Sequence, residues 1–276
     1  MASNQADSEA ASLSVIARQR ANGEYISSRY NRMACIAFMR RFGVFVRLPE
    51  ACLSTAATLF HHYTVACDMT TTSRRDLILM VTATLFLAAK VEESPKKLRE
   101  IIVALDHFVH GLPLRYPPPS SVMTNYGKTV DSCCKRVLEL EVTVLRATSF
   151  RLSFTAPMGP LCRIGRALGC PKHIIQDAWM LMARSFQTTL CLQYPIDSIA
   201  ATAIYASALL LNHELPVWKQ GPAPVQWWLA FGASLEDIND IHQQLYRNHH
   251  ESRLFRDLLD PRADPPDILE FANNKI

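Results

Sequence analysis

The 276-residue sequence predicts an all-α protein. It contains only nine glycines, and its apolar residues recur at the three- and four-residue spacing of a helix. No segment alternates apolar and polar residues for long enough to predict a sheet. The apolar content of 49% is sufficient for a substantial core in one or two domains. These features exclude a disordered or fibrous protein.

The charge and cysteine content restrict the function further. The net charge is +4, and the basic doublets are scattered along the chain, so we expect exposed helix faces and no direct nucleic-acid binding. The eight cysteines lie within helical patterns and show no paired spacing, which is typical of reduced core residues. The sequence opens with no signal peptide or lipidation motif, so we expect a cytosolic or nuclear protein that is not bound to a membrane.

The N-terminal part of the chain predicts a loose segment and then two core helices. Residues 1–27 are polar and alanine-rich, and residues 14–21 can form a short helix. A serine can cap the first core helix, which we expect over residues 28–45. Proline 49 opens the second helix, residues 50–67, whose apolar residues repeat at helical spacing.

The third helix is the centre of the predicted core. Only two threonines between residues 77 and 89 are polar, so this helix is expected to be buried on every side. Thirteen residues are too few to cross a bilayer, which needs about 20. Lys90 follows on an otherwise apolar face, where a charge needs a partner. Ser94 as N-cap and Pro95 in the first turn predict that a fourth helix begins there and ends near residue 110.

The fifth helix carries a carboxylate at an unexpected position. It follows residues 111–121, whose four prolines predict an extended surface loop, and we expect it over residues 122–148. It has two apolar stripes, of which the second contains Cys134, Leu138 and Leu145. Glu141 belongs to that second stripe and therefore also needs a partner.

A second helical set is predicted after residue 152. Its helices are expected over residues 155–168, 172–190 (with Ile175 and Trp179 facing inward), 199–211, 224–231 and 235–246. The segment ATAIYA at residues 201–206 lies 118 residues after ATLFLA, and three of the six residues are identical. This similarity indicates an internal duplication of a five-helix unit. Ala208 then lies opposite Lys90, so the fold itself does not require a lysine at that position.

Three sequence segments resemble the cyclin family. They are FLAAKVEESPKK at residues 86–97, YPIDSIAATAIYASALLL at 194–211 and WWLAFGASLEDINDIHQQLY at 227–246. The resemblance covers residues 29–259 and is strongest to transcriptional cyclins of the K, L and T kinds.

The resemblance implies a specific domain organisation. We expect two tandem five-helix cyclin-box repeats, at residues 28–150 and 151–260. They would follow an N-terminal segment with a short helix, residues 1–27, and precede a C-terminal tail, residues 261–276.

The resemblance also implies a function and a set of binding residues. We expect a nuclear, non-catalytic subunit, without a cofactor, that binds and activates a cyclin-dependent kinase phosphorylating the C-terminal repeats of RNA polymerase II. In the family, the motif lysine and the fifth-helix glutamate bind main-chain groups near the kinase C-helix. These residues are Lys90 and Glu141 here, and Val91, Phe150 and Leu152 match the apolar contacts to that helix. From the residues alone, a purely structural ion pair remains an alternative.

The sequence gives less support to other functions. A cell-cycle cyclin would carry a substrate-docking patch on its first helix, but the segment RMACIAFMRRF at residues 32–42 lacks that pattern. A cyclin-fold general transcription factor would bind DNA through a basic face, which scattered doublets do not predict. Cys170 and His173 form only half of a zinc-ligand pattern. The sequence shows no phosphate-binding loop or nucleophile elbow.

Overall fold

The computed structural model describes residues 24–67, 73–113, 115–123, 127–215, 218–219 and 224–254. The chain divides into two compact units between Ser153 and Phe154. Each unit is a helical bundle, which confirms the all-α prediction. The expected cyclin-box boundaries at residues 150 and 260 stay predictions, and the short helix expected at residues 14–21 lies outside the described residues.

The first unit is built from five long helices and one single-turn helix among its described residues. They are α1 (Glu24–Phe45), α2 (Glu50–Ala66), α3 (Arg74–Val91), α4 (Leu98–Val109), α5 (Ser120–Met123) and α6 (Gly127–Ala147). Helix α3 packs against α1, α2 and α6 and is the central element of the bundle.

The central position of α3 follows from its composition. All residues from Leu77 to Ala89 except Phe86 are buried. The hydroxyl of Thr82 donates to the carbonyl of Ile78 at 2.8 Å, and the hydroxyl of Thr84 makes the same bond to the preceding turn. Both threonines therefore satisfy their polar groups within α3 and do not oppose its burial.

Helix α4 begins later than the sequence predicts. Glu93 has a left-handed φ of 51°, and the backbone N–H of Ser94 donates to the carbonyl of Ala89 at 2.8 Å. This pair of features closes the C-terminus of α3 in a Schellman-type turn. The chain then runs extended to Lys97, which is the N-cap of α4. The prediction of a helix capped by Ser94 was wrong because that residue ends α3.

The last long helix of this unit also differs from expectation. Residues 120–123 form the separate helix α5, and α6 is described from Gly127, whereas we expected one helix from residue 122. Val130, Val137 and Val144 are fully buried, so the first apolar stripe faces the core.

Aromatic packing and one close approach position α1. Phe42 is fully buried, and its ring centroid lies 5.4 Å from that of Phe108 on α4. Gly43 lies against α2, where a Cβ atom would overlap with Cδ2 of the buried Leu53. The missing side chain allows the two helices to approach, since a buried leucine has little room to move.

The second unit is also arranged around a buried helix. Its described elements are α7 (Met158–Ala167), α8 (Lys172–Ser185), α9 (Leu190–Gln193), α10 (Ile196–Leu210), β1 (Trp218–Lys219), β2 (Pro224–Val225), a 3-10 helix (Trp227–Phe231) and α11 (Leu235–Leu254). Helix α10 packs mainly against α7 and α8. Among the residues described in both units, no helix is long and apolar enough to cross a membrane.

Three details of the second unit correct the sequence prediction. The fourth element is a short 3-10 helix, because Pro224 pairs with Lys219 in a two-stranded ladder and the helix begins only after that ladder. Helix α8 ends at Ser185, before the expected residue 190. Its buried face contains Ile174 and Ala178, whereas the residues that follow each of them, Ile175 and Trp179, are only half-buried.

A glycine in this unit offers a contrast to Gly43. A Cβ atom at Gly165 would overlap with Cδ1 of Ile175. That isoleucine is half-buried, so its side chain can turn toward solvent.

Candidate protein-binding site

A lysine and a glutamate from two helices form the centre of the candidate site. Lys90 lies in the last turn of α3, and Glu141 lies on α6. The distance from Lys90 Nζ to Glu141 Oε1 is 2.5 Å. The lysine side chain is 41% exposed, whereas the glutamate side chain is only 9% exposed. The two charges for which the sequence predicts a partner are therefore paired with each other.

The ammonium group is held from more than one side. Lys90 Nζ lies 4.2 Å from the centroid of the Phe86 ring, at a distance typical of a cation–π contact. A cation in the last turn of a helix is also favoured by the helix dipole. Glu141 is its only hydrogen-bond partner in the part of the chain that the structure describes. Because an ammonium has three donors, Lys90 can donate to a further acceptor from another molecule.

An exposed aromatic residue follows α6 in a strained turn. Phe150 is 65% exposed, and the φ angles of Ser149 and Phe150 are 51° and 58°. The backbone N–H of Phe150 donates to the carbonyl of Leu145 at 2.8 Å. Positive φ angles are uncommon for residues with side chains and tend to occur at functional sites. The turn therefore holds an apolar ring in solvent at a cost in free energy.

The remaining expected contact residues lie nearby in the chain. Val91 is the last residue of α3 and is half-buried, as is Leu152. The structure brings only Lys90 and Glu141 together by a hydrogen bond. Val91, Phe150 and Leu152 belong to the same compact unit.

Two apolar residues that flank the glutamate on α6 are exposed, and the sequence pattern assigns only the leucine to a helix face. Leu138 and Val142 are 45% and 42% exposed. The stripe that contains Leu138 and Glu141 was expected to be a second buried face of α6, but it opens to solvent at Leu138. The helical spacing was correct, yet spacing alone does not show which of two apolar faces another element covers. Glu141 therefore lies at the edge of an exposed apolar surface.

The turn that carries Phe150 also lies beside α2. Burial and, to a smaller degree, the positive charge of Arg151 lower the pKa of His62, which lies on α2. The described residues contain no group of three or more histidine, cysteine or acidic side chains that could hold a metal ion. Cys170, which formed half of the considered zinc pattern, has a thiol pKa that burial raises.

A buried carboxylate, an exposed ammonium and exposed apolar side chains on a helical bundle are features typical of a protein-binding surface. The family profile described as "Cyclin, N-terminal domain" matches residues 7–153. The chain belongs to the cyclin family, as the sequence resemblance predicts.

The chain is similar to cyclins of the T and L kinds. It is 24% identical to Cyclin-T1-4 of Arabidopsis thaliana over 226 residues, which cover 82% of this chain and 40% of that protein. It is 25% identical to Cyclin-L1 of Homo sapiens over 224 residues, which cover 80% of this chain and 40% of that protein. The chain therefore spans less than half the length of these relatives.

A solved structure supports the fold. The chain resembles one in the crystal structure of the yeast RNA Pol II CTD kinase CTDK-1 complex with a TM-score of 0.64 and 17% identity, over 85% of this chain and 73% of that chain. This comparison, together with the family match, confirms the predicted cyclin fold.

Proposed function

We propose that this cyclin is a non-catalytic regulatory subunit that binds and activates a cyclin-dependent kinase of the transcriptional class. The kinase would phosphorylate the C-terminal repeats of RNA polymerase II, and the heterodimer would act in the nucleus. The similarity to T- and L-type cyclins supports this class. So does the resemblance to a chain of a complex described as an RNA polymerase II C-terminal-domain kinase.

The observation that carries the proposal is the ion pair between Lys90 and Glu141. A glutamate whose side chain is only 9% exposed orients a lysine whose side chain is 41% exposed, so the lysine is fixed in direction yet accessible. A charged donor that is positioned before binding loses little conformational entropy when it meets an acceptor. Lys90 would donate to main-chain carbonyls of the kinase C-helix segment, and Glu141 would hold Lys90 in place and accept from an adjacent main-chain N–H.

The exposed apolar residues would supply most of the binding free energy. Phe150, Leu138 and Val142 are each at least 42% exposed, and burial of apolar surface contributes about 25 cal/mol per Å². Val91 and Leu152 are half-buried and would complete the contact with the kinase helix. Aromatic residues at the centre of an interface often dominate its affinity, so we assign the largest share to Phe150.

The proposed contact explains activation without any chemistry on the cyclin. Kinases need an ion pair between the C-helix glutamate and the lysine that binds ATP phosphates. A cyclin that holds the C-helix in the inward position would complete this pair. The kinase would supply the catalytic groups, and the cyclin would supply position.

Affinity capture from source cells tests the proposal. The wild-type chain should retain a cyclin-dependent kinase that phosphorylates polymerase repeat peptides. The double variant Lys90→Ala/Glu141→Ala should retain at least tenfold less kinase while keeping its helical content. The control is Arg99→Ala/Asp131→Ala, which removes a more exposed ion pair between α4 and α6 and should capture the kinase normally.

Two results would contradict this proposal. Normal kinase capture by the folded Lys90/Glu141 double variant would show that the interface is elsewhere. A captured kinase that acts only on cell-cycle substrates would exclude the transcriptional class.

A further inference from the structure

A second surface of the first unit has features of a binding groove. It is an open groove of about 550 Å³ between the C-terminal end of α1 and the loop after α4. Its lining residues are Phe45, Arg47, Leu112, Pro113, Arg115 and Tyr116. Lys90, Glu141 and Phe150 do not line it, so the inference below does not depend on the proposed kinase contact.

The groove combines apolar surface with two arginines that have no acidic partner among the described residues. Arg47 and Arg115 are both exposed. Leu112 is 47% exposed and adds an apolar wall. On α1, by contrast, the half-buried Arg40 does pair with a carboxylate, that of Glu50, at 2.7 Å. The groove therefore presents two guanidinium forks that are available to an external anion.

The backbone at Arg47 is held in an unusual conformation. Its φ angle is 56°, and the hydrogen bond from the N–H of Leu48 to the carbonyl of Gly43, at 2.9 Å, closes this turn at the end of α1. A left-handed arginine is disfavoured relative to glycine by the clash of its Cβ. The strain is explained if the guanidinium at this position is needed.

The side of the groove formed by Tyr116 adds a further polar group. Tyr116 is 5% exposed, and its hydroxyl is buried without a hydrogen-bond partner within the described residues. Burial, with a smaller effect of Glu100, raises the pKa of Tyr116 to about 12, so the hydroxyl stays protonated at neutral pH. Lys96 Nζ lies 5.5 Å from the centroid of the same ring. This lysine places a third cation next to the Tyr116 wall of the groove, whereas the buried Tyr116 hydroxyl does not face the groove opening.

We infer that this groove binds an extended acidic segment of a partner protein, with carboxylates on Arg47 and Arg115 and an apolar side chain against Leu112 and Phe45. The charge of the groove selects carboxylates, because its two guanidiniums have no acidic partner within the described ranges of the chain. The apolar wall selects a peptide that also carries aliphatic or aromatic side chains. The bound carboxylates would also relieve the mutual repulsion of the basic groups.

Selection from a random peptide library displayed on phage tests the inference. Peptides selected on the wild-type chain should be enriched in acidic residues next to an apolar residue. A fluorescein-labelled peptide from that selection should bind the variant Arg47→Glu/Arg115→Glu at least tenfold more weakly. Its affinity for the wild-type chain should also fall as the salt concentration rises.

Two further variants separate charge from folding. Arg47→Gln/Arg115→Gln removes both charges but keeps polar side chains, so it tests the inference even if the charge-reversal variant does not fold. It should also weaken peptide binding. Arg166→Glu/Lys172→Glu makes the same change in net charge as Arg47→Glu/Arg115→Glu, at exposed sites of the second unit, and should leave peptide binding unchanged. Kinase capture should be normal in each of these variants that folds, so failure here is distinguishable from failure of the proposed function.

Three outcomes would overturn the inference. Selected peptides could lack acidic enrichment, or they could bind the arginine variants as tightly as the wild type. A labelled single-stranded oligonucleotide could bind more tightly than the selected peptide and lose binding in the same variants, which would assign the groove to nucleic acid.

Discussion

Removal of Lys90 and removal of Glu141 should have unequal effects on stability. In Lys90→Met, the Glu141 carboxylate stays in a site where only 9% of its side chain is exposed, and it loses its cation. In Glu141→Leu, the lysine side chain, which is 41% exposed in the wild type, can turn its ammonium group to water. The double variant replaces both charges with apolar side chains of similar size.

The burial of each partner gives the expected magnitudes. Removal of one partner from a fully buried ion pair costs about 3–5 kcal/mol. Solvent reaches this pair on the lysine side, so we expect Lys90→Met to lower the free energy of unfolding by about 2–3 kcal/mol. Glu141→Leu should cost about 1 kcal/mol or less. The double variant should lie within about 1 kcal/mol of the wild type, because apolar replacement of a buried pair is often neutral.

Urea unfolding followed by circular dichroism measures these values by linear extrapolation. The double-mutant cycle should give a coupling free energy of about 2 kcal/mol between the two sites. Equal costs for the two single variants would refute the burial argument. A coupling near zero would show that the pair is not formed in solution.

Three further predictions concern local structure. Gly43→Ala should lower the free energy of unfolding by about 1 kcal/mol in a urea titration, since crowding of the buried Leu53 outweighs the gain in helix propensity. Gly165→Ala should be neutral or stabilising, because its neighbour Ile175 can move. Phe150→Gly should raise the free energy of unfolding by about 0.5–1 kcal/mol, because glycine accepts the positive φ, yet it should weaken kinase binding about tenfold in a calorimetric titration. Because the pKa of His62 is lowered in the folded state, folded His62 binds fewer protons than unfolded His62. Stability that is present above about pH 6.5 is therefore lost on acidification. His62→Gln should make the free energy of unfolding less dependent on pH between about pH 7 and 5.

The pairing of Lys90 with Glu141 was predictable from the sequence. Each charge interrupts an apolar stripe at helical spacing, and two isolated opposite charges in one small core satisfy each other at the lowest cost. The all-α class followed from the same periodicity. These features depend on local patterns, which a sequence displays directly.

Other features depend on tertiary contacts or on backbone geometry. The helical spacing of Leu138 predicts which face of α6 it occupies, but it does not predict that this residue is exposed. The left-handed backbone of Phe150 has no signal in its residue type, because positive φ is most typical of glycine. Ser94 and Pro95 have the composition of a helix start, yet the final turn of α3 uses the N–H of Ser94. In each case the sequence specified the residue types but not their surroundings.

Amide hydrogen exchange on the complex with its captured kinase would locate the kinase-binding surface. We expect kinase binding to slow exchange at residues 88–93 and 138–152 of the first unit and to leave exchange in the groove beside Arg47 unchanged. Slowed exchange confined to other segments, with unchanged rates around Lys90 and Glu141, would contradict the proposed kinase-binding surface.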